Sequence, residues 1–130
     1  MERLQQIYED YDRRYQEAVE KAPAFSGFFG VGDVVKNHPC HMDFYEAVGA
    51  WTEALAAQAP ESDRVAEAVR WILSQGGENW YHLAAHGQVR ILIPLLKPQD
   101  RRTLGDWYEK SYPRRKRLPV QNEILKLLKK

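Results

Sequence analysis

A chain of 130 residues that is 44% hydrophobic and 28% charged fits one globular domain, and this balance excludes a disordered polymer or a membrane-embedded one. Its longest near-apolar run, Val89 to Leu96, contains Arg90 and Pro94 and falls far short of the roughly 20 residues of a spanning helix. The formal net charge of +1 conceals a division: residues 1 to 96 carry eight Lys/Arg against fourteen Asp/Glu, and residues 97 to 130 carry eleven against four.

The amino-terminal residues include Glu2 and Arg3 and lack an apolar stretch followed by a small-residue cleavage site, while Cys40 is the single cysteine. Both features point to a cytoplasmic protein in a reducing compartment. We expect one helical domain over residues 1–130.

Leu4, Ile7, Tyr8, Tyr11, Tyr15, Ala18, Val19 and Ala22 recur at helical spacing among Glu, Asp, Arg and Gln, which predicts an amphipathic helix over 3–22. Pro23 marks its end. From Pro23 to His38 the chain is rich in glycine and aromatics and poor in charge, a loop whose composition favours burial. Because a residue before proline avoids the helical region, His38 is expected to cap a helix opened by Pro39. That helix runs to about Ala59 with the stripe Cys40, Phe44, Val48, Trp51 and Leu55.

Ser62 is the expected cap of a third helix, with Asp63 in its first turn and Val65, Ala68, Val69, Ile72 and Leu73 on its buried face. Gly76-Gly77 stops it. Asn79 caps a fourth helix whose apolar residues, from Leu83 to Ile93, lie on nearly every side and argue for a central position. Pro94 must kink or end this helix. Within it, Gln88 to Ile93 also suits a short strand, since Val89, Ile91 and Ile93 are β-branched. Pro98 opens a fifth helix carrying Leu104, Trp107, Tyr108 and Tyr112, and Pro119 opens a sixth carrying Val120, Ile124, Leu127 and Leu128. The pattern predicts an all-α fold of five or six helices with short connections, either a compact antiparallel bundle or a short stack of helical hairpins. Glu-Ala-Val occurs at 17, 46 and 67, but the intervals differ, so no repeat is established.

The histidines fall into two pairs, His38 with His41 and His82 with His86. At i and i+4, His82 and His86 can bind one metal ion from one helix face. His38 and His41 occupy the two places that meet in a capping box. Four imidazoles would close a tetrahedral zinc site, and three plus water would leave a position open for hydrolysis. Glu78, one turn before His82, is a further oxygen ligand in this reading. The competing reading makes His82 and His86 partly buried histidines bonded to neighbours, and His38 a cap alone. The run His82-Leu-Ala-Ala-His86-Gly-Gln resembles the His-x-x-x-His-x-Gly-Gln stretch of the DinB-like helical metal proteins over these few residues. Here Gly87 follows His86 directly, and the family's function is not carried across.

Cys40, near a helix amino terminus and beside two histidines, has groups that lower a thiol pKa, yet its place on the apolar stripe raises it and hides it. The basic third includes Arg114, Arg115, Lys116 and Arg117 between Pro113 and Pro119, with Trp107, Tyr108 and Tyr112 nearby. Phosphates and acidic proteins both suit such charge, and free rings can stack on bases. Core burial of the rings and a calculated pI of 7.9 weigh against a dedicated nucleic-acid binder. In the Gly-rich stretch 27–32 no Gly-Lys-Ser/Thr follows, so it is not a phosphate loop. Phe25, Phe28 and Phe29 either fold over the core or form an apolar patch for a partner.

No complete catalytic arrangement is present. The sequence therefore leads to a small interaction or adaptor module without catalysis or a required cofactor, binding a protein partner or a second copy and no membrane. The alternatives are a zinc-type metal protein built on His38, His41, His82 and His86, and a nucleic-acid accessory protein using the basic third.

Overall fold

A computed structural model describes residues 1–21, 37–77 and 79–130. Helices are α1 (Glu2–Lys21), α2 (Cys40–Ala57), α3 (Ser62–Ser74), α4 (Trp80–Ala85), α5 (Pro98–Ser111) and α6 (Pro119–Leu128), with 3-10 turns at His86–Ile91, Ile93–Leu95 and Arg114–Lys116. The described residues contain no strand, and the fold is all-α. None of their helices is long and apolar enough to cross a membrane. Backbone contacts divide the chain into two units, Met1–Val48 and Gly49–Lys130.

In the first unit, Leu4, Ile7, Tyr8 and Tyr11 form the buried face of α1, the spacing that the sequence pattern predicts. Glu2 in its first turn and Lys21 in its last complement the helix dipole. Phe44 of α2 meets two of these rings: Tyr11 stacks on it at 4.3 Å and Tyr8 meets it edge-on at 4.8 Å. Both arrangements suit the aromatic quadrupole.

The second unit is held by α3 against α5, α5 against α6, and α6 against the 3-10 segment His86–Ile91. Val65, Ala68, Val69, Ile72 and Leu73 are buried on α3 as expected, and Leu104, Tyr108, Ile124, Leu125 and Leu128 complete much of this core. Pro98 and Pro119 each open their helix, where a missing N–H costs nothing. At the start of α6 the Gln121 Oε1 accepts the Leu118 N–H at 2.9 Å, one half of a capping box, and Leu118 has no side-chain acceptor to complete the other half.

Of three expectations about helix ends, one holds and two change in detail. Asn79 does cap α4, its Oδ1 accepting from the Tyr81 and His82 N–H groups at 2.9 and 3.0 Å. Ser62 is instead the first residue of α3, with Glu61 at the cap position. Its hydroxyl donates to Asp100 Oδ2 at 2.5 Å and accepts from the Lys97 N–H at 2.8 Å, fastening the start of α3 to the start of α5. The second change is that α4 ends at Ala85 and the chain continues as 3-10 turns, neither the long helix nor the short strand. With Pro94 barring an α-helical continuation, the tighter winding brings every third side chain to one side. His86, Val89 and Leu92 are accordingly all fully buried, whereas Ile91 is 45% exposed.

Candidate functional site

In the first unit His38 performs the role assigned to it, since its Nδ1 accepts the Cys40 N–H at 3.1 Å and caps α2. His41 does not turn back to complete a capping box. Its buried ring places Nδ1 3.0 Å from the Tyr11 hydroxyl, and packs edge-on against Tyr11 and Tyr15. The Cys40 Sγ lies 3.9 Å from that same nitrogen.

A small cavity of about 170 Å³ in this unit is lined by Ile7, Tyr11, Arg14, Cys40, Asp43 and Phe44 among others. Arg14 and Asp43 pair across 3.0 Å at its rim. Cys40 is only 1% exposed; burial pushes its thiol up, Arg14 opposes this, and Asp43 adds to it. The packed-thiol reading of Cys40 is thus the one its surroundings favour.

In the second unit His86 is fully buried and both ring nitrogens are engaged: Nε2 lies 2.6 Å from the Gln75 carbonyl oxygen and Nδ1 2.8 Å from the Tyr108 hydroxyl. A carbonyl can only accept, so Nε2 carries the proton. In the neutral ring Nδ1 is then the acceptor and Tyr108 the donor. Burial is the main cause that brings the His86 pKa down to about 4; the Gln75 carbonyl opposes it and His82 reinforces it. Burial likewise pushes the Tyr108 phenol far up, with the Gln121 amide acting against it. The Gln121 Nε2 lies buried without a bond of good hydrogen-bonding geometry. Tyr112 closes the cluster by donating to the Leu73 carbonyl at 2.9 Å, with its ring 5.6 Å from that of His86.

These contacts decide what the histidines can do. To bind a metal, His86 would have to surrender a bond that holds α3 or α5, and no group of three or more His, Cys, Asp or Glu among the described residues is arranged to hold one. His82 sits in α4, one turn before His86. Glu78, Phe25, Phe28 and Phe29 lie outside the described residues.

The basic third offers a different kind of site. An open groove of about 890 Å³ runs along the end of α5, the Arg114–Lys116 turn and α6, with Glu109, Arg114, Arg117, Glu123, Lys126 and Lys129 among its lining side chains. Pro119 and Leu125 contribute apolar surface to it. Arg90 grips Glu123 through Nε and Nη2 at 2.7 and 2.8 Å, and these bonds hold the Glu123 carboxyl below its ordinary range. Lys129 reaches Asp106 at 3.0 Å and Glu109 at 3.1 Å, and those bonds hold its ammonium above the ordinary range. Both lining carboxylates are therefore already occupied. Among the described residues no carboxylate pairs with Arg114, Arg117 or Lys126. Arg115 and Lys116 are exposed on the same turn.

The aromatic residues that made nucleic acid attractive are engaged elsewhere. Tyr108 is fully buried, Tyr112 is bonded to Leu73, and Trp107 lies under the Arg70 guanidinium at 5.0 Å. Two features were not legible in the sequence: the His86–Tyr108–Tyr112 cluster, in which His86 lies on a different element from the two tyrosines, and the groove, where Lys126 stands twelve residues beyond Arg114 and joins it only when α6 folds back. No family model, curated protein or solved structure matches the chain.

Proposed function

We propose that this protein is an interaction module that takes an acidic polypeptide segment into the groove beside α6, without catalysis of its own. The observation that carries this reading is the charge imbalance of the lining: Glu109 and Glu123 are held by Lys129 and Arg90, while Arg114, Arg117 and Lys126 keep no carboxylate partner among the described residues. An incoming carboxylate gains charge-assisted hydrogen bonds without displacing an internal ion pair. Pro119 and Leu125 offer apolar contact between those charges.

The same lining favours a polypeptide over nucleic acid. No described aromatic ring lines the groove for a base to stack on, whereas Pro119 and Leu125 offer apolar contact to peptide side chains.

Fluorescence anisotropy with a short Glu-rich peptide tests the reading, with a single-stranded oligonucleotide of equal charge as comparison. We expect the peptide to bind better than the oligonucleotide, and Arg114→Ala together with Arg117→Ala to weaken it by on the order of tenfold, as loss of charge-assisted bonds at an exposed site predicts. Equal or tighter oligonucleotide binding that falls steeply with salt would replace this reading with the nucleic-acid one. Absence of peptide binding would overturn it.

A further inference from the structure

The exposed side of α1 carries the complement of the groove. Glu2, Glu9, Glu17 and Glu20 are all exposed, and at 100° per residue they fall within a sector of roughly 80° spanning about 27 Å of helix. This sector lies opposite the buried residues Leu4, Ile7, Tyr8 and Tyr11. Arg13 lies within this sector and pairs with Asp10, Arg14 pairs with Asp43, and Arg3 and Lys21 flank the sector, so four glutamates face one arginine there and the carboxylates stay in excess. No described ion pair takes up Glu2, Glu9, Glu17 or Glu20, although Glu20 accepts a bond from Gln16.

One chain thus presents an acidic helix face and a cationic groove, each with charges that no described ion pair takes up. We infer that the occupant of the groove is the α1 face of a second copy of this chain, giving head-to-tail self-association. This inference rests on the reading of the groove given above. Charge complementarity supports it at both levels: the sequence is net −6 over residues 1–96 and net +7 over 97–130, and the α1 face and the groove each carry several charges that no described ion pair takes up. Because the two surfaces differ, the contact is heterologous, and it produces short open chains or a ring. Exposed charges on both sides make it a weak contact assembled by steering, sensitive to ionic strength.

Sedimentation velocity of the full chain over rising concentration provides the test, together with two charge-reversed variants. One carries Glu9→Lys, Glu17→Lys and Glu20→Lys; the other carries Arg114→Glu, Arg117→Glu and Lys126→Glu. All six positions are exposed or half-exposed, and circular dichroism verifies that each variant remains helical. Wild-type protein should show concentration-dependent mass that weakens by on the order of tenfold from low to high salt. Each variant alone should stay monomeric, and their mixture should associate again because the reversed α1 faces the reversed groove. A wild type that stays monomeric while still binding the Glu-rich peptide would overturn self-association and leave the groove reading standing. Failure to bind the peptide would overturn both. Association that survives in either folded variant alone, or is not restored in the mixture, would also overturn the inference.

Discussion

Placing an imidazolium at His86 would remove its hydration and set it beside His82, and the Gln75 carbonyl only partly offsets this, so the folded ring titrates near 4 against an ordinary 6.5. The sign of the consequence follows from proton counting. Between these values the unfolded chain binds a proton that the folded chain refuses, so stability falls as pH falls. The contribution is fully present above about pH 6.5 and is lost by about pH 4, a change of about 3 kcal/mol for this site. Urea unfolding at both pH values should show that the wild type loses about that much more stability than His86→Gln, which has no titrating ring. Tyr108→Phe removes the donor to Nδ1 and leaves a buried acceptor unsatisfied; we expect a loss of about 1 to 3 kcal/mol near neutral pH, read from the same unfolding curves. The sequence makes His86 visible through its spacing from His82, but its partners are the Gln75 carbonyl and Tyr108, 11 and 22 residues away in sequence. A pair at i and i+4 suggests a ligand set, whereas the bonds actually made depend on where α5 lies.

Where helices begin was largely readable, because proline at N1 and an Asx cap act through the local backbone. Pro98, Pro119 and Asn79 work in this way. Ser62 shows the limit of such reasoning: a serine before an apolar face suits a cap, but Asp100 and the Lys97 N–H compete for its hydroxyl and hold it. Ser62→Ala should accordingly do more than weaken one helix end. It leaves the Lys97 N–H and Asp100 without that partner, for an expected loss of about 1 to 3 kcal/mol, and Asp100→Asn should lose less because its amide can still accept from the hydroxyl. Chemical denaturation of both variants checks the order. The segment His86–Ile91 escaped a reading based on a period of 3.6 because its buried positions recur every third residue, and β-branched residues in it match strand, helix and 3-10 turn alike.

At the scale of the molecule, the groups that hold the second unit together and the groups free to meet a partner are different in kind. His86, Tyr108, Tyr112 and Ser62 act through short hydrogen bonds away from solvent. Arg114 and Lys126 are exposed beside the groove, and Arg117 is half-exposed there. Salt separates these two sets, because the screening length shortens from about 10 Å at 0.1 M to about 3 Å at 1 M and acts on exposed charges while leaving buried bonds nearly untouched. Raising sodium chloride over that range should therefore reduce Glu-rich peptide binding by on the order of tenfold or more. The thermal midpoint of the free protein should change by only a few degrees, since exposed pairs such as Arg90–Glu123 and Lys129–Asp106 contribute little individually. A midpoint that fell in parallel with binding would mean that the groove charges hold the fold. A stable midpoint with vanishing peptide affinity would mean that the surplus positive charge of the last third is kept for a partner.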